Sequence, residues 1–192
     1  SILLGKLTMS ELAMTGPAGI GEEARNPWNV DHIPGSSSSG SGVAVAAGLC
    51  AGALGSDTGG SVRFPASLNG IVGLLPTYGR VSRYGGMPLS WSLDHFGPMT
   101  RSVQDAALML RIIAGHDSLD PTSSTAPVPD YRGALTGDVK GLTIGVLGSF
   151  YIQHEQSVPP ETMAAVEQAV KDLEEMGARV EEVDIPHLEY AS

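Results

Sequence analysis

Cysteine is almost absent: Cys50 is the only one in 192 residues. One thiol cannot close an internal disulfide, so a disulfide-stapled secreted module is excluded and a cytoplasmic setting is expected. Its Leu49 and Ala51 neighbours predict a buried, inert thiol. The five histidines, His32, His95, His116, His154 and His187, are isolated from one another, so no zinc site is expected. Basic residues are scarce too. Eleven Lys and Arg stand against 21 Asp and Glu, a formal charge of −10. An acidic surface disfavours phosphate backbones and anionic membranes, and neither is expected as a partner. No eighteen-residue apolar run occurs, so no membrane-spanning helix is expected. Residues 1–6 carry no charged leader or small-residue cleavage site, so no signal peptide is expected.

Hydrophobic residues make up 42% of the chain, with 25 glycines and 13 prolines. The apolar residues are spread throughout, which predicts a folded domain with many turns and close backbone approaches.

Residues 1–16 read as the end of a strand followed by a short helix with Met9, Leu12 and Ala13 apolar. Residues 17–36 read as loop. The run Gly35-Ser36-Ser37-Ser38-Ser39-Gly40-Ser41-Gly42 has linker composition, yet it feeds into residues 43–54, which carry no charge. A helix apolar on every side must be buried. The spacing therefore predicts a serine-glycine loop docked at the start of a buried helix, its hydroxyls capping the first amides. Residues 55–61 read as a second tight loop, and 76–100 as irregular. Ser102 and Asp105 form a capping-box pattern ahead of a helix over 102–114, stopped by Gly115. Residues 116–140 read as a surface excursion. A buried strand over 142–147 follows. Residues 160–176 form an amphipathic helix with Met163, Val166, Val170 and Leu173 on one stripe and Gly177 as its cap. A strand over 179–185 completes a βαβ unit.

The two loops carry the chemistry. Gly59 and Gly60 before Ser61 allow several N–H groups to face one concavity, which suits an anion or a developing oxyanion. A serine at the end of such a nest is placed as a nucleophile; a purely structural turn is the alternative. Asp57 and Arg63 flank it, as an ion pair bracing the loop or, alternatively, with Arg63 recognising a carboxylate. A P-loop is excluded because Ser41 stands where its lysine belongs. The dinucleotide spacing G-x-G-x-x-G is absent. The nucleophile elbow G-x-S-x-G is absent around Ser61.

The runs G-S-S-S-S-G-S-G-V-A-V-A-A-G-L, G-S-D-T-G-G-S-V-R-F-P-A, G-L-L-P-T-Y-G-R-V-S and S-L-D-H-F-G-P-M-T-R together strongly resemble the amidase signature family. The likeness covers about residues 2–122 specifically, and residues 140–186 look like the family's next βαβ stretch. The resemblance implies that residues 1–192 are a fragment of one α/β domain, the central part of a mixed sheet flanked by helices. It implies a Ser-cisSer-Lys triad with Ser61 as nucleophile and Ser37 as the cis-serine. It places the oxyanion hole on the backbone N–H groups of Thr58, Gly59, Gly60 and Ser61, with Asp57, Arg63 and Ser38 in support. The family's lysine lies upstream of the Gly5-Lys6-Leu7 run. Lys6 matches a different family lysine, and Lys140 and Lys171 match none. Ser36 stands where the family has a second glycine.

The implied reaction is hydrolysis of a carboxamide to an acid and ammonia or an amine, with no metal or organic cofactor. The partner is a small-molecule amide, with no nucleic acid and no membrane; a homodimer is left open. One alternative is the glutaminase component of a tRNA-dependent amidotransferase, its A chain, which releases ammonia from glutamine. That component shows glutamine where this chain has Phe64, and F-A-S-S-L-D-Q where this chain has P-L-S-W-S-L-D-H from Pro88 to His95. Both differences favour a stand-alone amidase. A further alternative is a catalytically silent chain with a binding or structural role.

Overall fold

A computed structural model of the protein describes residues 2–14, 22–147 and 158–187. These form two compact units, one up to Leu135 and one from Thr136 onward.

The first unit is built on a three-stranded antiparallel sheet in the order β1-β3-β2. Its strands are β1 (Gly52–Asp57), β2 (Val72–Gly73) and β3 (His95–Thr100). β1 pairs with β3 from Gly52 opposite Thr100 to Asp57 opposite His95. Three helices accompany the sheet: α1 (Ser39–Ala46), α2 (Arg63–Leu68) and α3 (Val103–Ile113). Met99 on β3 and Val62 and Ala66 at α2 form the core cluster, with Ile71 packed on it. This core lies directly behind the loop that carries Ser61. Gly55 is required there, because a Cβ would meet the Ser38 hydroxyl and the Val62 methyl at 2.8 Å each.

The second unit is a parallel pair with its connecting helix. β4 (Thr143–Leu147) and β5 (Arg179–Val183) run in register from Thr143 opposite Arg179 to Leu147 opposite Val183. The helix α4 (Pro160–Glu175) lies between them in sequence.

Several expectations hold. α3 starts at an N-cap Ser102 whose hydroxyl accepts the Asp105 amide and donates to the Asp105 carboxylate. α4 spans the stripe read from sequence, and Gly177 follows it at φ +99°. β4 and β5 fall where the two strands are expected, so the βαβ order stands.

Others are corrected. Residues 2–10 form no strand, and Ile2 and Leu3 are 88% and 92% exposed. An apolar run becomes a strand only with a partner edge, and none pairs with it among the described residues. A single 3-10 turn, Glu11–Ala13, replaces the expected helix, and Leu12 inside it is non-helical. Residues 15–16 of that helix and 17–21 of the loop lie outside the described residues. The helix read over 43–54 begins four residues earlier and stops at Ala46, because Gly48 turns at φ +73°; residues 52–54 belong to β1. Cys50 is accordingly only half-buried. The tight loop read over 55–61 is shortened, because Gly55, Ser56 and Asp57 complete β1. Strand β3 emerges from the irregular 76–100 region. Gly97 and Pro98 inside it concealed it, yet Gly97 is needed because a Cβ would collide with the Leu74 carbonyl. β4 is not buried; its residues alternate between exposed and half-buried.

Candidate active site

Asp57 ends β1 and is 1% exposed. A buried carboxylate needs donors on both oxygens, and the following turn supplies them. The Gly60 amide donates to Oδ1 at 2.7 Å, and the Val62 and Arg63 amides to Oδ2 at 3.1 and 3.4 Å. The Arg63 guanidinium closes the cage with two bonds of 3.1 Å, Nε to Oδ2 and Nη2 to Oδ1. Burial pushes the Asp57 carboxyl upward. The Arg63 bond and the Val62 and Gly60 amides outweigh that, so its pKa sits below 3.8. Thus the Asp57–Arg63 pair braces the turn.

The turn presents Ser61 at its apex, half-buried, before α2 begins. The four amides expected as oxyanion donors differ in their bonding. The amides of Thr58, Gly59 and Ser61 have no acceptor among the described residues. Gly60 is a correction: its N–H is taken by Asp57, so it shapes the nest without donating into it.

The second serine loop is held against the first. A non-proline cis peptide bond joins Ser36 to Ser37. Ser37 is fully buried, and its Oγ has no hydrogen-bond partner among the described residues; it is not bonded to the Ser61 hydroxyl. The loops meet through the backbone, where the Ser38 amide donates to the Ser61 carbonyl at 3.3 Å. The Ser38 hydroxyl accepts the Ser56 amide at 3.1 Å and donates to the Ser56 carbonyl at 3.2 Å. The Ser41 hydroxyl donates to the Leu54 carbonyl at 2.8 Å. The sequence predicts that these hydroxyls cap α1, and no side-chain cap exists there. They face β1 instead and rivet the loop to the strand bearing Asp57.

Sequence reasoning missed the other supports. The Ser10 amide donates to the Ser37 carbonyl and the Gly40 amide to the Thr8 carbonyl, both at 3.1 Å. Buried Asn69 donates to the Pro34 and Pro65 carbonyls at 2.7 Å each, tying the loop's start to α2. Asn26 bonds the Leu68 carbonyl at 2.9 Å. Single Asn and Ser residues in irregular segments leave no periodic signal. Asp94 lies within one of the family-like runs, yet its role shows only in three dimensions. It accepts the Thr58 hydroxyl at 2.6 Å and the Leu89 and Ser90 amides at 2.8 and 3.0 Å.

No group of three or more His, Cys, Asp or Glu among the described residues is placed to hold a metal ion. No described helix is long and apolar enough to cross a membrane. A half-buried serine on an amide-lined turn beside a buried serine is an arrangement suited to acyl transfer.

Comparison with known proteins agrees. The Amidase family model matches residues 1–192. The A chain of glutamyl-tRNA(Gln) amidotransferase from Moorella thermoacetica is 52% identical over 193 residues, all of this chain and 39% of that protein. The crystal structure of the same component from Thermotoga maritima superposes with a TM-score of 0.83 at 43% identity, covering 96% of this chain and 38% of that one. Native peptide amidase from Stenotrophomonas maltophilia superposes with a TM-score of 0.87 at 42% identity, covering 97% of this chain and 39% of that one. The chain thus spans about 39% of the length of the curated relatives it matches. With its α/β fold and its match along the whole sequence, this chain belongs to the Amidase family, among the amidase signature enzymes.

Proposed function

We propose that the complete protein is a serine amidase that hydrolyses a carboxamide through an acyl-enzyme on Ser61. The observation carrying this reading is the Asp57-organised turn, which leaves the amides of Thr58, Gly59 and Ser61 without acceptors around a half-buried serine. The Ser61 hydroxyl attacks the carbonyl carbon, and the carbonyl oxygen becomes an oxyanion held by those amides. The Ser61 proton passes to Ser37 and on to a neutral amine. Collapse of the intermediate breaks the C–N bond, with the proton returned to the leaving nitrogen. Water then attacks the ester, releasing the acid and restoring Ser61.

The fully buried Ser37 hydroxyl, unpartnered among the described residues, supports Ser37 as the relay. A buried hydroxyl without a partner is costly, so a proton-accepting group is assigned to it. The family resemblance makes that group a lysine, whose burial lowers its pKa and frees a lone pair. Ammonia and acid release from simple aliphatic and aromatic amides tests the reading, with Ser61→Ala as the blank. Equal release by wild type and blank contradicts it.

A second reading, the glutamine-hydrolysing component of an amidotransferase, is favoured by the 52% identity to such a component. Phe64, Trp91 and His95 favour the stand-alone amidase. Co-purification with partner proteins, and ammonia release that depends on them, would reverse that preference.

A further inference from the structure

The first unit holds a cavity of about 260 Å³ whose lining includes Ser56 and Thr58, just before the turn that carries Ser61. Much of the lining is apolar: Tyr84, Met87, Leu89 and Trp91 from one segment, together with Phe96 and Leu119. Trp91 and Met87 are 72% and 83% exposed, side chains that burial would favour covering. A cavity of roughly 150 Å³ holds one benzene ring. The present volume therefore admits a ring with a short chain.

The charged side chains lining this cavity are hydrogen-bonded within the protein, all to neutral partners. The Asp94 carboxylate takes three donors, from Thr58, Leu89 and Ser90. The Asp120 carboxylate takes the Arg83 amide at 2.7 Å and the Thr122 amide and hydroxyl at 2.9 and 2.7 Å. The Arg83 guanidinium donates to the Trp91 and Asp94 carbonyls, the Tyr78 hydroxyl and the Thr122 hydroxyl. It also lies 4.7 Å from the Tyr78 ring centroid. Its Nε is buried away from solvent and has no acceptor among the described residues. The His95 ring lies edge-on to Tyr78, its Nδ1 against the Leu93 carbonyl. An ammonium or carboxylate entering the cavity would lose water and have to compete with these internal bonds. An apolar group would lose nothing and cover the exposed wall.

Asp94 joins this wall to the reaction site, since one carboxylate holds both the Thr58 hydroxyl and the Leu89–Ser90 backbone. We propose that the cavity binds the acyl group of the amide substrate, and that it selects an uncharged apolar group, an aromatic ring or a branched alkyl chain. Trp91 is its principal specificity determinant. The assignment deepens the amidase reading and rests on it for the word acyl.

Calorimetric binding to the complete protein carrying Ser61→Ala tests it without requiring turnover. The probes are 3-phenylpropanamide, propanamide and glutamine. The expected result is 3-phenylpropanamide binding at least tenfold more tightly than the other two, the scale of one or two methylenes in an apolar pocket. Adding Trp91→Ala should reduce that ratio by about tenfold with propanamide binding unchanged, and Met87→Ala, another exposed wall residue, should act in the same direction. Equal binding of the three probes, tighter binding of glutamine, or a ratio indifferent to both wall variants would overturn the proposal. Hydrolysis by the wild-type protein is read separately. Selective binding of 3-phenylpropanamide without turnover would contradict the amidase reading and uphold the cavity assignment.

Discussion

The two units of this chain use buried polarity in opposite ways. In the unit up to Leu135, Ser37, Ser38, Ser41, Asp57 and Asn69 are all buried, and most of their polar atoms are matched to backbone groups. In the unit from Thr136 onward, α4 has no fully buried residue, and its strands are exposed or half-buried. Polar groups sealed from water cost free energy unless satisfied. A fold that seals so many around one turn is fixing positions, and the positions fixed are those of Ser61 and Ser37. The second unit shows the ordinary amphipathic economy of a βαβ element.

Substitutions sharpen that contrast. The largest effect is expected from Ser61→Ala, which should abolish amide hydrolysis in the complete protein with an unchanged circular dichroism spectrum. Ser37→Ala should follow, lowering kcat by about 10²–10⁴-fold, the range of a general acid–base relay, with little change in KM. Near-normal turnover in Ser37→Ala with a large loss in Ser36→Ala or Ser38→Ala would relocate the relay.

Asp57→Ala should act on stability as well as rate. It strips the acceptor from three amides and the Arg63 guanidinium, and should cost on the order of 3 kcal/mol in denaturant unfolding. The folded-state pKa of Asp57 lies below its ordinary value of 3.8. Its stabilisation is therefore complete above that value and is lost as pH falls through the lowered folded pKa. The pH dependence of unfolding below about 4 should accordingly flatten in the variant. The smallest effect is expected in the second unit. Val166 on α4 is 37% exposed, and Val166→Ala should cost under about 1 kcal/mol and leave hydrolysis unchanged. A loss of hydrolysis there comparable with Asp57→Ala would erase the distinction between the units.

The same contrast governs what could be read from the sequence. The second unit and α3 follow from periodicity and caps, because each places an apolar stripe on one face with Gly115 or Gly177 at the stop. The first unit hides its elements. β1 reads Gly-Ala-Leu-Gly-Ser-Asp and β3 contains Gly97 and Pro98, so neither shows β-branched alternation. Their glycines answer to close backbone approach, which only the assembled fold reveals. Motif spacing nevertheless picked out both serine loops, because chemistry constrains residue type more tightly than packing does. It could not show that the Gly60 amide belongs to Asp57. Nor could it show that Asn69, Ser10 and Asp94 hold the loops from elsewhere in the chain.

Ser61 as the nucleophile is the claim on which the rest depends, and covalent trapping tests it most directly. The complete protein would be treated with a fluorophosphonate, digested and mapped by mass spectrometry. The account predicts one adduct, on the peptide containing Ser61, absent from Ser61→Ala and formed more slowly in Ser37→Ala. An adduct on another serine, or undiminished labelling in Ser61→Ala, would contradict it.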